Sequence, residues 1–542
     1  MFSTEHLRGD LYGGLTAAIV ALPLALAFGV ASGAGAIAGL YGAIAVGFFA
    51  AAFGGTPTNV SGPTGPMVVV FAGLAAAFAD QPALIFTAVV LAGALQILFG
   101  VLGLGTYIRL VPYPVISGFM SGIGCIIIIL QAAGLFGHDA PPGTLDALAS
   151  IPRALRDINP SAAGLGALSL VIVFAWPRRL VAIFPGPLAA LVAGTLIGLF
   201  LPAAPKIGAI PSGLPGFVMP TLDALSSVVV IKAAVVLAVL GALDSLLTSL
   251  VADNMTRTRH DSNRELVGQG IGNLVAGFIG GVPGAGATMR TVVNIRTGGR
   301  TRLSGMLHSL VLLAIVLALG PLAERIPHAV LAGILFKVGF DIIDWTYLRR
   351  SHRGPRIDLA LMTIVLLMTV FVDLMTAVIV GVFLAALAFI QQLAESQIRR
   401  LRSSEVVPES ERERSLLEQA EGRINIFEFN GPMSFAAAAD LGHHVRDTMT
   451  PHQQALILDF REVPFLDLSA ARAVETVAID ARDAGRDVYV CGLSDAGRRT
   501  LAELGADQAI VRDGFLSDRE SAIALALERL APRVSGAAAR RS

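Results

Sequence analysis

The sequence predicts an α-helical polytopic membrane protein of fourteen segments, a seven-plus-seven inverted repeat followed by a small α/β domain. Three observations carry this. The 542-residue chain is 54% hydrophobic with a mean hydropathy of +0.71, so a water-soluble form would expose more apolar surface than water tolerates and most of the chain belongs in a bilayer. Charge is segregated: residues 396–542 hold 42 of the 80 Lys, Arg, Asp and Glu side chains. Finally, two runs rich in Gly, Pro, Ala and Thr break long apolar sequence, Ser61-Gly-Pro-Thr-Gly-Pro-Met67 in one half and Gly284-Ala-Gly-Ala-Thr-Met-Arg-Thr291 in the other. In lipid, unwound backbone survives only where protein or a water-filled cavity satisfies its N–H and C=O groups, so matched interruptions point to a binding site of the secondary-transporter kind.

The first set of apolar segments covers residues 12–31, 36–53, 67–79, 83–103, 115–135, 162–176 and 186–201. The second covers 228–252, 267–281, 288–297, 304–320, 327–340, 358–372 and 375–394. The segments beginning at 67 and 288 are too short or too broken to cross roughly 30 Å of hydrocarbon alone, and each is the third of its set. No signal-peptide cleavage pattern follows the polar start Met1–Asp10, so the first segment is read as a retained span. With an inside N-terminus, thirteen arginines fall in inner loops, among them Arg109, Arg178 and Arg179. Arg153, Arg156, Lys206 and Arg325 fall in outer ones. That bias places both termini in the cytoplasm, in a plasma (inner) membrane. An odd number of segments per set gives the halves opposite orientation. The spacing agrees, because Asp244 lies 44 residues before Thr288 and Ala21 lies 43 before Thr64.

Asp244 is the sharpest single signal. Between Val228 and Ala252 the only other charge is Lys232, near one end. A carboxylate at mid-helix costs about 3 kcal/mol on insertion scales, so it is expected to face a cavity and a cation, a proton or an arginine. Thr248 follows one turn later on the same face. With a carbonyl or hydroxyl from Gly286 or Thr288, these residues supply the several oxygens that a hard cation such as sodium requires. If the helices starting near Thr64 and Thr288 point their N-termini at one another, their free N–H groups and dipole ends form an anion site without a buried cation. Arg290, two residues after Thr288, is expected either to reach the substrate or to pair with Asp244 and take the cation's place. Lys337, Asp341 and Asp344 are spaced as a structural ion cluster at one helix end.

Beyond residue 423 the pattern changes. Arg423–Asn430, Ala455–Phe460 and Asp487–Gly492 read as strands, with helices at 436–449 and 469–484 between them. The domains are therefore 1–395 in the membrane, a linker at 396–422 and an α/β unit at 423–535. Cys125 and Cys491 read as free buried thiols, and His443-His444 as a solvated helix face. Zero net charge argues against nucleic acid as a partner. No nucleophile–base pair or phosphate loop is present, so no enzymatic activity and no cofactor are expected.

The stretches Gly9-Asp-Leu-Tyr-Gly-Gly-Leu-Thr16, Ala21–Gly33, Gly54-Gly-Thr-Pro-Thr58, Ile116-Ser-Gly-Phe-Met-Ser-Gly122, Glu265-Leu-Val-Gly-Gln-Gly270 and Ala332–Gly339 resemble the sulfate permease (SulP) family, and within it the sodium-dependent bicarbonate branch. The resemblance implies a core-and-gate fold with elevator-type alternating access, a C-terminal STAS domain and a homodimer formed partly through it. It places Ala25, Thr64 and Ala287 on the anion, and Asp244, Thr248, Gly286 and Thr288 on sodium. Two positions depart from the branch: Gly62 stands where relatives often carry Glu, and Arg290 where the bicarbonate branch has a small residue and the sulfate and dicarboxylate branches have Arg. Ser469, in Asp467-Leu-Ser-Ala470, falls where phosphorylatable STAS domains place Ser or Thr, with Ala470 in place of the usual glycine; the other reading is a helix cap. The expected function is sodium- or proton-coupled uptake of bicarbonate or sulfate. The alternatives are C4-dicarboxylate transport, uncoupled anion exchange, an anion channel, or a membrane anchor for a signalling STAS domain.

Overall fold

The computed structural model describes residues 6–538, apart from 109–111, 140, 142, 178–183, 208–215, 222–226, 373, 401, 404–406, 432, 434–444, 446–447 and 505–507. The chain divides into two compact units, Met1–Leu384 and Ala385–Ser542.

Fourteen helices of the described residues coincide with the fourteen segments. They are α1 Leu7–Ala31, α2 Ala36–Phe53, α3 Gly65–Ala77, α4 Pro82–Val101, α5 Tyr113–Leu135, α6 Pro160–Ala175 and α7 Gly186–Gly198, then α8 Val228–Thr256, α9 Ser262–Phe278, α10 Thr288–Arg296, α11 Arg302–Ala323, α12 His328–Ile342, α13 Arg356–Phe371 and α14 Leu374–Arg400. Five of them, α1, α2, α4, α5 and α8, are individually long and apolar enough to cross a membrane. The short α3 and α10 depend on their neighbours. Each is preceded by a two-residue strand, β1 Ser61–Gly62 and β2 Ala285–Gly286, and the strands pair antiparallel with Ser61 opposite Gly286 and Gly62 opposite Ala285. Pairing the two interruptions satisfies backbone groups that lipid would leave bare.

The packing maps onto itself when the two sets are exchanged. Helix α1 packs on α10 and α11, the third and fourth of the other set, as α8 packs on α3 and α4. Likewise α2 packs on α11 as α9 packs on α4, and α5 packs on α13 as α12 packs on α6. This pairing pattern is the one expected of a repeat related by a two-fold axis. Sidedness is equally coherent. Loops expected on one side meet one another, as where Gly105 N–H bonds Asn263 Oδ1 at 3.0 Å and the Arg300 and Thr301 N–H groups bond Asp10 Oδ1 at 2.7 and 2.9 Å. Loops expected on the other side meet likewise, with Lys206 bridging Pro327. An additional amphipathic helix, Thr144–Arg156, lies before α6, bent from it by 116°.

In the second unit, β3 Arg402–Ser403, β4 Ile424–Asn430, β5 Ala455–Glu462, β6 Asp487–Cys491 and β7 Phe515–Leu516 form one sheet in that order, with β3 antiparallel and the rest parallel. Helices α15 Glu411–Ala420 and α18 Arg519–Ala538 cover one face, while α16 Leu468–Asp483 and α17 Asp495–Glu503 accompany the core on the other. Both β3 and α15 lie in the stretch read as linker. The expected helix at 436–449 falls largely outside the described residues, as do His443, His444 and the inner-loop arginines Arg109, Arg178 and Arg179. Both cysteines are free. Cys491 is buried, its thiol pushed up by burial, whereas Cys125 is only half-buried.

Candidate functional site

The strand pair sets the tips of α3 and α10 against each other. Thr64 is the N-cap of α3 in extended conformation, and Ala287 holds the same place before α10; neither side chain caps its helix. Neither cap occupies the first N–H groups of its helix, so Gly65 and Met67 on one side and Thr288, Met289 and Arg290 on the other lack intrahelical acceptors. Two half-positive helix ends thus converge where the strands cross. Ala287 N–H also donates to Val60 C=O at 3.0 Å, tying the second tip to the first. Ala25 is buried in α1, its carbonyl packed against Gly39.

Three of the four expected cation ligands meet at hydrogen-bond distance. Thr248 Oγ1 donates to Gly286 C=O at 3.0 Å and lies 2.8 Å from Thr288 Oγ1. Ser245 Oγ, on the same face of α8, accepts Gly286 N–H at 3.0 Å and fixes the strand to the helix. Asp244 sits one turn before Thr248. Its Oδ2 is buried and the protein gives it no hydrogen-bond partner, and the same holds for Thr64 Oγ1. The Thr64 hydroxyl is near Asp244 without the geometry of a formed hydrogen bond, and the Arg290 guanidinium acts on the carboxylate through space.

Arg290 was expected to reach the substrate or to pair with Asp244, and its guanidinium lies close to both helix tips. Only 2% exposed, it lies behind the strand pair, where Nη2 donates to Pro63 C=O at 2.6 Å and Nη1 has no partner. It forms no hydrogen bond with Asp244. The guanidinium occupies the space over Gly62: a Cβ there would stand 2.5 Å from Nη1. The guanidinium therefore holds the carbonyl just before the α3 tip, while its charge reaches Asp244 through space.

Sequence reasoning missed the polar ladder that holds the strands. Glu265, Gln269 and Asn273 recur every fourth residue along α9 and are buried. Glu265 Oε2 accepts the Gly55 and Thr56 N–H groups, each at 2.9 Å, and its Oε1 accepts Asn59 Nδ2 at 2.7 Å and Gln269 Nε2 at 2.9 Å. Gln269 Nε2 also reaches Ser61 Oγ at 2.6 Å, and Asn273 bonds both N–H and C=O of Gly284, at 2.8 and 2.9 Å. Polar residues at i, i+4 and i+8 inside an apolar helix were the available signal.

Lys337, Asp341 and Asp344 do not form one cluster. Lys337 pairs with Asp341, but Asp344 turns to α5, accepting Tyr113 Oη at 2.7 Å and Ser117 Oγ at 2.9 Å. Ser469 is exposed, and Asp467 is the cap of its helix, accepting Ala470 N–H at 2.8 Å.

A cavity of about 670 Å³ opens between α1, α3 and α4 on one side and α5 and α12 on the other, with Gln131, His138 and His328 on its wall. Below it a pocket of about 20 Å³ lies between Gly65, Val68, Ile127 and Leu335. A Cβ on Gly65 would meet the Ile127 and Ile342 side chains at 2.8 and 2.9 Å, so the α3 tip is sealed by apolar contact with α5 and α12. A second pocket of about 20 Å³, between Phe119, Met120 and Leu247, reaches Asp244.

A model of the sulfate permease family matches residues 7–365 and one of the STAS domain matches 417–522. The bicarbonate transporter BicA of Picosynechococcus is 44% identical, over 98% of this chain and 96% of its own. The putative sulfate transporter YvdB of Bacillus subtilis is 30% identical, over 96% and 98%. The solved transmembrane domain of a cyanobacterial BicA, 50% identical, covers 70% of this chain and 98% of its own with a TM-score of 0.66. SLC26A9, 20% identical, covers 98% and 91% with a TM-score of 0.81 and shares the fold.

Proposed function

The chain belongs to the sulfate permease family and is a membrane anion transporter, not an enzyme, and we propose that it takes up bicarbonate together with sodium through the site between the α3 and α10 tips. The observation that carries this reading is the oxygen cluster of Thr248, Gly286 and Thr288 within 3.0 Å, beside an Asp244 oxygen that no protein donor satisfies. Such a set suits a hard cation. The tips beside it suit an anion.

Charge balance argues for coupling. With both groups ionised, Asp244 and Arg290 sum to zero when the site is empty. One sodium ion and one monovalent anion leave the sum at zero. Either alone leaves a net charge, and moving a net charge past the Gly65–Ile127–Ile342 seal carries the desolvation cost of an unpaired ion. Only the empty and doubly loaded forms cross cheaply. A doubly charged sulfate with one sodium would leave a deficit, which favours bicarbonate. The dicarboxylate reading requires Arg290 to leave Pro63 for a second carboxylate.

In the proposed cycle the unit bearing α3, α8 and α10 slides against α5 and α12 in elevator fashion, in a homodimer joined partly through the STAS domain. Positive-inside bias supports a plasma membrane location with both termini cytoplasmic. The test is uptake of labelled bicarbonate, sulfate and succinate into proteoliposomes with and without a sodium or proton gradient. Sodium-driven accumulation of bicarbonate is expected. Asp244→Asn makes the empty site positive and the anion-loaded site neutral, so that variant loses sodium-driven accumulation but retains anion exchange. Full sodium-driven accumulation by Asp244→Asn would overturn the assignment, as would accumulation driven by protons alone.

A further inference from the structure

We infer that a bound solvent molecule links His308 to Arg290 behind the strand pair, which makes His308 a positioning residue for the charge under the anion site; this rests on the transport site proposed above.

His308 lies on α11, fully buried, and no protein atom bonds its Nε2. Nδ1 faces Ser309 Oγ at 3.4 Å. With the ring proton on that nitrogen, Nε2 presents a lone pair that lacks a donor. Arg290 Nη1, also buried, is a donor that lacks an acceptor. The two needs are complementary. A buried unpaired group costs 1–3 kcal/mol, and more when charged, so two of them side by side call for a partner.

Strand β1 brings the two side chains near one another. A Cβ on Gly62 would touch Arg290 Nη1 at 2.5 Å and Ala43 Cα at 3.2 Å, which places the guanidinium against residue 43. A Cβ on Gly47 would meet Ser309 Oγ at 2.5 Å, Ser61 C=O at 3.1 Å and His308 Nδ1 at 3.2 Å, which places the imidazole beside Ser61, the residue next to Gly62 in β1. The two side chains therefore flank consecutive residues of β1. Water matches both needs: it accepts from Nη1–H and donates to Nε2, and buried water characteristically bridges unpaired polar groups of this kind.

The bridge fixes the guanidinium by two anchors, Pro63 C=O through Nη2 and the solvent through Nη1. Without the second, the charge swings away from the tips and anion affinity falls while turnover of the loaded carrier is kept. His308→Leu is expected to raise KM for bicarbonate about tenfold at little change in maximal rate. His308→Gln, whose amide oxygen accepts the same bond, restores it. In an Arg290→Gln background, His308→Leu has no further effect on KM.

An unchanged KM in His308→Leu would overturn the inference, as would an equal rise in the Arg290→Gln background or failure of Gln to rescue. Should His308→Leu fail to fold, a high-resolution map of the unmodified protein decides: density between Nη1 and Nε2 supports the bridge, and direct contact or none refutes it. If Arg290→Gln alone leaves KM untouched, it is the role of Arg290 in the transport site that fails, and the map still answers for the bridge.

Discussion

Gly62 and Arg290 fit together as one unit. Gly62 has φ +152°, a conformation that L side chains rarely adopt, and its Cα faces both the guanidinium and the α2 backbone at Ala43. Gly62→Ala must therefore displace Arg290 and strain the strand, a loss of about 1–3 kcal/mol. Adding Arg290→Gln to that variant relieves the contact with the guanidinium and leaves the backbone strain. Thermal unfolding in detergent should show Gly62→Ala least stable and the double variant intermediate; a double variant no more stable than the single one would show that the two residues do not compete for space. The sequence offered both as departures from the relatives it resembles, yet their complementarity was invisible there. They are 228 positions apart, and only the β1–β2 pairing brings them face to face.

Short broken helices were legible because Gly and Pro interrupt apolar sequence at matching places, and Thr64 and Ala287 stand at the N-cap positions of helices that start where expected. Asp244 and Thr248 were legible through helical periodicity. Glu265, Gln269 and Asn273 were not read as a site because the first two bond a loop more than 200 positions away and the third a different one only 11 away, and pattern alone does not say which loop. Their role gives an element-scale prediction. Glu265→Gln keeps an acceptor for the Gly55 and Thr56 N–H groups but turns an NH2 toward Asn59 Nδ2 and Gln269 Nε2. Gln269 can flip, since its Oε1 has no partner, whereas Asn59 cannot, because its Oδ1 accepts Thr291 Oγ1 at 3.0 Å. One donor stays buried and unpaired, at a cost of about 1–3 kcal/mol. Hydrogen exchange at residues 55–59 should accelerate accordingly; unchanged protection would mean that the ladder does not hold this loop.

At the scale of the molecule, the membrane unit opens at one end into a large cavity among the described residues. The cavity has a volume of about 670 Å³, one pocket of about 20 Å³ adjoins it at the α3 tip, and another of about 20 Å³ borders Asp244. The floor of that cavity is apolar, with Val68 on α3 and Ile127 on α5 lining the same small pocket. A transporter that alternates access must part these helices or slide one along the other in every cycle, whereas a channel would conduct with them fixed. Val68→Cys with Ile127→Cys, after replacement of Cys125 and Cys491, joins the two sides at this seal. Oxidation, or a short bifunctional thiol reagent, is then expected to stop accumulation and exchange together, and reduction of the disulfide to restore both. The single-cysteine variants treated in the same way should transport as before. Undiminished flux through the cross-linked protein would rule out relative movement of α3 and α5 as part of the cycle, and with it the elevator reading.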